Sequence, residues 1–186
     1  SRYFTNAGNA VLRGSTAGWW RSGQFYHDST TLAQTILDTS SGFTGIKLAT
    51  GALGANVILS VGNGAATVTA TFTISLSTAT WYHYYIFYDG TNIGININNS
   101  TEVTSALGGA FSPGVQAFDV GAGIGGLVTF DGRMQCLALD DGTLTAAQQT
   151  TVYNGGTPLS FAQFKSAPGL SQTSSLRYWE FDEPSG

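Results

Sequence analysis

Several groups of residues in this 186-residue chain have the types and spacing to do chemistry. The most prominent is an aromatic and amide row. Residues 81–88 read WYHYYIFY and residues 92–98 read NIGININ, with Asp89-Gly90-Thr91 between them. Alternate side chains of an extended strand share a face. Tyr82, Tyr84, Ile86 and Tyr88 then join Ile93, Ile95 and Ile97 on one side, which suits a core. Trp81, His83, Tyr85 and Phe87 join Gly94, Asn96 and Asn98 on the other. Sugars are held by rings stacked on their C–H faces and by amides bonded to their hydroxyls. Trp81, His83, Tyr85, Asn96 and Asn98 are therefore candidate ligand-binding residues. The alternative is that a second layer, neighbouring loops or another subunit covers this face.

Other groups carry less chemistry. A retaining glycosidase needs two carboxyls about 5 Å apart. In Glu180-Phe181-Asp182-Glu183, Glu180 and Asp182 share a strand face, but Glu183 points away and Pro184 follows; the expectation is a solvated acidic edge without catalysis. His27 and His83 are the only histidines, too few for a zinc site at matched spacing, and no nucleophile elbow accompanies the many serines. Cys136 is the only cysteine. No intrachain disulfide can form, and the residue reads as a small buried hydrophobe. Gly121 to Gly126 matches GxGxxG, but Leu127-Val128-Thr129-Phe130 has no helical period. A dinucleotide needs that helix, so this is a loop. Asn98-Asn99-Ser100-Thr101 holds two overlapping glycosylation sequons.

Composition narrows the classes. Charged residues are 10 % of the chain, against roughly 25 % in an average soluble domain; Thr, Ser, Ala, Gly and Asn fill the surface instead. The formal charge is −4 with no Lys/Arg cluster, which argues against nucleic-acid binding. No apolar run approaches the ~20 residues that span a bilayer. No charged-then-apolar leader opens the sequence, so any targeting peptide has been removed or lies elsewhere.

The elements that must position these residues alternate strand and turn signals at short spacing, the all-β pattern. Strands are expected at 18–26, 35–38, 45–50, 56–61, 67–75, 81–88, 93–98, 117–120, 133–139 and 177–181, with a hairpin tip at Gly62-Asn63-Gly64. The segments 81–88 and 93–98 should pair as antiparallel neighbours. One short helix is expected at 146–153, N-capped by Thr145 with Gln148 completing a capping box, and ended by Asn154-Gly155. Residues 157–175 read as a long surface connection pinned by Phe161 and Phe164.

The order of motifs resembles the concanavalin A-like, laminin-G-like jelly-roll modules. Trp81, His83, Tyr88, Asp89 and Gly90 match one part of their pattern and Asn98 the next. Asp131 and Gly132 follow, then Leu144, Thr145 and Gln148, then Tyr153, Asn154, Gly155 and Gly156. The resemblance covers roughly residues 70 to 156. It implies a two-sheet antiparallel β-sandwich, residues 1–186 forming one module. It further implies no cofactor, or Ca²⁺ at loop carboxylates such as Asp89, Asp119, Asp131, Asp140 and Asp141, whose competing role is turn stabilisation. The chain ends YWEFDEPSG and begins SRYFTNAGN. Joined end to start, these resemble the opening of a related tandem module, so one repeat or fragment of a larger or polymeric protein is expected.

The expected role is a non-enzymatic structural or adhesion module of an extracellular, cell-surface or virion assembly. Its partners would be copies of itself or neighbouring modules, and glycans. A carbohydrate-binding lectin module is the alternative, and a glycoside hydrolase a distant third. Arg177, Tyr178, Trp179, Glu180 and Phe181 form a strand with two large rings that must pair with a sheet, either its own or that of the next copy.

Overall fold

The computed structural model describes residues 4–6, 10–126, 128–167, 170 and 175–181. Two six-stranded sheets face each other. The first runs β1 (Phe4–Asn6), β10 (Phe118–Val120), β3 (Gln34–Asp38), β4 (Ile46–Thr50), β5 (Asn56–Gly62), β6 (Thr67–Thr73). The second runs β12 (Arg177–Trp179), β11 (Gly132–Asp141), β2 (Trp19–His27), β7 (Trp81–Tyr88), β8 (Asn92–Ile97), β9 (Val103–Ala106). All the pairings are antiparallel. This is the expected sandwich. The Ser105 hydroxyl of β9 donates to the Thr69 carbonyl of β6, tying the sheets along one side.

The core lies between the sheets because every facing strand alternates. Trp19, Phe25, Tyr84 and Tyr88 of the second sheet meet Leu48, Leu59 and Val61 of the first, all buried. Such rings remove more apolar area from water than aliphatic side chains do. Arg21 also points inward and is fully buried. Its guanidinium donates to the Leu12 and Trp20 carbonyls and lies 5.1 Å from the Trp19 ring. Burial lowers its pKa to about 10, so it stays charged at neutral pH. Through Leu12 it fastens the short helix α1 (Ala10–Arg13) to the sandwich.

The hairpin β7–β8 pairs as expected, with Tyr85 opposite Asn96 and Phe87 opposite Gly94. Its turn is held by Asp89, whose carboxylate accepts the Thr91 and Asn92 amides. Partial burial pushes the Asp89 pKa up, but these bonds outweigh it and hold the group below the usual carboxylate range. Helix α2 (Ala146–Tyr153) has the expected capping box and a left-handed Asn154 at its end.

Four expectations need correction. The surface connection expected at 157–175 contains a helix: Ser160 and Gln163 form a second capping box and start α3 (Phe161–Ser166). Strands β1 and β9 were not foreseen, being too short to show a period. Cys136 is half-buried rather than core; it sits at a bulge in β11, at φ 55. Of the loop acids, Asp119 lies in β10 and Asp140 and Asp141 in β11, not at turns.

Candidate ligand-binding groove

The outward face of the second sheet carries rings as well as the inward one. Trp20, Tyr85 and Phe87 form a second cluster with Val152 of α2 and Phe164 of α3, joined by Leu144, Leu159 and Tyr178. The two capping boxes start the helices, and these rings give each of them an apolar seat, which a helix this short requires. The face expected to be either open or covered is thus largely covered. His83 is 6 % exposed, Tyr85 2 %, Phe87 7 % and Asn96 3 %.

Polar residues under this cover are tied to it. Gln24 donates to the Gly156 carbonyl and accepts from Gln135. The Ser22 hydroxyl lies 2.8 Å from His83 Nε2, and the Tyr153 ring abuts His83 at 5.4 Å. Burial drives the His83 pKa down to about 4, so the ring is neutral at physiological pH. Its Nδ1 has no hydrogen-bond partner. A nucleophilic dyad needs an acid there to orient the base. A cavity of about 10 Å³ beside it is just large enough for a single water.

The cover stops short of β8 and β9 and leaves a groove of about 540 Å³. It is lined by Tyr85, Phe87 and Asn96 of the hairpin, by Glu102 and Thr104, and by Leu144, Gln149 and Thr150, with Gln149 donating to Glu102 at 2.7 Å. Tyr85 and Phe87 stack at 5.5 Å. Phe87 can lie across the strand because its partner is Gly94: a Cβ there would sit 2.3 Å from the ring. The Tyr85 hydroxyl accepts the Leu144 amide at 3.1 Å and so fixes the approach to α2. Asn96 Nδ2 donates to the Ser100 carbonyl at 2.7 Å, while Oδ1 is buried with no partner. Leaving such an acceptor unmet costs about 1–3 kcal/mol. The floor therefore holds an unanswered acceptor beside aromatic surface.

Of the five expected ligand residues, Tyr85 and Asn96 meet in this groove. His83 lies under the cover. Trp81, 37 % exposed, packs on Tyr26 at the far end of β7. Asn98 is a strand cap: its Oδ1 accepts the His83 amide, and its own amide donates to the His83 carbonyl. Phe87, Glu102 and Gln149 were missed as groove residues; only the alternation of β7 pointed to Phe87.

The expected assembly strand pairs with β11 of its own chain, Leu137 opposite Trp179 and Leu139 opposite Arg177. Trp179 and Phe181 pack against the inner core and Tyr178 against the outer cluster. Glu180 accepts the Phe161 amide with its carboxylate and the Cys136 amide with its carbonyl. Asp182 and Glu183 of the acidic pattern lie outside the described residues.

Of the acids that the resemblance offers to Ca²⁺, Asp119 is buried in β10. Asp38 and Asp119 are buried opposite each other across β3 and β10. Asp38 already accepts from the Ser40 amide and hydroxyl and the Ile124 amide, the latter from the Gly-rich loop. Among the described residues no group of three or more His, Cys, Asp or Glu is placed to hold a metal ion. No described helix is long and apolar enough to cross a membrane.

No family model matches the chain, and no curated protein does either. Solved structures do match it. Mouse laminin α1 chain domains LG4-5 align with TM-score 0.58 at 19 % identity, covering 75 % of this chain and 38 % of that one. A heptameric SAP-like pentraxin from Limulus polyphemus gives 0.55 at 16 %, covering 73 % and 69 %. Domain 4 of a GH43 extracellular arabinanase from Geobacillus stearothermophilus, solved in complex with arabinotriose, gives 0.61 at 18 %, covering 72 % and 65 %. This chain spans well under half of the laminin fragment. At these identities the likeness establishes the fold alone, a two-sheet antiparallel jelly roll.

Proposed function

We propose that this chain is a non-catalytic recognition module that binds a glycan in the groove between α2 and the β7–β8 face. The observation that carries this reading is Asn96: its Oδ1 is a buried acceptor without a partner, set beside Tyr85 and Phe87 on the groove floor. A sugar hydroxyl would answer that acceptor, and a sugar ring would rest against the part of Phe87 that the cover leaves accessible. The volume suits one or two sugar residues. That a module of this fold from an arabinanase was solved with arabinotriose supports the ligand class.

Binding without turnover agrees with the neutral, acid-free His83 and with a Glu180 carboxylate engaged by α3. Such a module would serve adhesion in an extracellular, cell-surface or virion assembly, among copies of itself or neighbouring modules. The low charge and Thr-rich surface fit that setting. A glycan array tests the reading: the wild type should bind a defined set of sugars, and Asn96→Ala should weaken binding about tenfold, the effect of losing one good buried hydrogen bond. No binding anywhere on the array would remove the glycan reading and leave a scaffold.

A further inference from the structure

The reading above names a sugar site; the chemistry of its walls goes further and rests on that reading. The lining amides spend their donors internally. Gln149 Nε2 donates to Glu102 and to the Leu144 carbonyl, Asn99 Nδ2 donates to Thr150, and Asn96 Nδ2 donates to the Ser100 carbonyl. What remains for a ligand is the unpartnered Asn96 Oδ1, some lining hydroxyls, and the negative charge of Glu102 and Asp89, whose carboxylates already accept from Gln149 and from the Thr91 and Asn92 amides. Among the described residues no Lys or Arg lines the groove.

We infer that the groove selects glycans by charge, taking neutral and amino-bearing sugars and rejecting those with carboxylate or sulfate groups. A hydroxyl or ammonium group can donate to Asn96 Oδ1, and an ammonium group is attracted by both carboxylates. A uronate, sialate or sulfate can donate through none of its charged oxygens and meets like charge at Glu102 and Asp89, which disfavours the wrong partner more than it weakens the right one. Asn96 makes this more than an acidic patch, because its buried Oδ1 gains a partner only from a ligand that reaches the floor.

The test is an array carrying neutral, amino-bearing, and uronic, sialylated or sulfated oligosaccharides, read with the wild type, Glu102→Gln and Glu102→Lys. Glu102→Gln keeps an acceptor for the Gln149 amide and Glu102→Lys removes it, so the thermal midpoint of each variant is measured beside the array. The wild type should bind amino and neutral sugars, with acidic ones at least about tenfold weaker, the size of one exposed charge contact. Glu102→Gln should narrow that gap and Glu102→Lys should close or reverse it, each read as the ratio of acidic-sugar to neutral-sugar affinity within the same variant. Preference of the wild type for acidic glycans would overturn the inference and leave the groove reading standing. So would an unchanged charge order in Glu102→Lys. Absence of binding in all classes would remove both.

Discussion

The two sheets of this sandwich present opposite outward faces. On the second sheet the outward rows hold Trp20, His83, Tyr85 and Phe87, all buried beneath α2, α3 and their linking segments. On the first sheet the outward row of β6 is Thr67, Thr69, Thr71 and Thr73, all exposed; Lys47, Ala49, Ile58 and Ser60 beside it are half-exposed. The inward rows are alike: both alternate and both are buried. What differs is whether the second row of each strand carries rings or hydroxyls. Rings left in water would form an apolar patch and demand a third layer. Hydroxyls satisfy themselves with water and demand nothing. The groove falls where that third layer ends, so its position follows from the length of the cover.

The strongest way to break the contrast is to remove a ring from the covered face. Trp20→Ala should cost about 3–5 kcal/mol in urea unfolding, like a core truncation, although Trp20 lies outside the inner core. Phe164→Ala should cost a similar amount and loosen α3. Cys136 then serves as a reporter, since its Sγ lies against the Leu159 carbonyl at 3.9 Å; its reaction with a thiol reagent should quicken. A loss under about 1 kcal/mol in both variants would mean that the third layer contributes little.

Next in size is the pH response of the buried imidazole. The folded pKa of His83 is about 4, against 6.5 for the free group. Between these values the unfolded chain binds more protons than the folded one, so stability rises with pH across this window. Stability is intact above about pH 6.5, falls as pH drops towards 4, and levels off below it. At 1.36 kcal/mol per unit the total is about 3 kcal/mol. His83→Gln should flatten this slope. His27, whose pKa is also lowered by burial, adds a slope of the same sign in both proteins. Parallel curves for wild type and variant would show that His83 is solvated and the cover open.

Much of this arrangement was legible in the sequence, and the gaps have physical causes. The alternation of residues 81–98 gave both faces of β7 and β8, and Thr145 with Gln148 gave α2 to the residue. The same four-residue capping pattern at Ser160 and Gln163 was passed over, because six residues have too few turns to show a period. Burial of the ring row could not be decided from the strands themselves. It depends on distant residues, Val152, Leu159 and Phe164, folding back over it. The groove is harder still: Glu102 and Gln149 are 47 positions apart and meet only through the fold. The array pattern of Trp81, His83 and Asn98 was readable, but their separate surroundings were not.

A smaller effect sharpens the boundary between cover and groove. Tyr85→Ala would leave a cavity, since Tyr85 is 2 % exposed, and would confuse folding with binding. Tyr85→Phe keeps the ring and removes only the acceptor for the Leu144 amide. About 1 kcal/mol of stability should be lost, the net worth of one hydrogen bond, and glycan affinity should fall because the start of α2 is no longer fixed against the floor. Unchanged affinity at the expected stability loss would separate the groove from the helix start.

The smallest effect belongs to the open face. Thr71 is exposed on β6, opposite Ile58 of β5, with no layer above it. Thr71→Lys should change stability by no more than about 0.5 kcal/mol, the usual range for a surface site. Threonine is the better strand former, but lysine on an edge strand discourages pairing with other chains. The monomer should therefore be as soluble as before, with an unaltered urea midpoint and slope. The informative outcome is the opposite one. If Thr71→Lys leaves the isolated chain stable yet abolishes a self-associated species seen with the wild type by sedimentation, the hydroxyl face is itself covered in the assembled state. The contrast between the faces would then be one of partner rather than of exposure: the ring face covered by its own chain, the threonine face by the next.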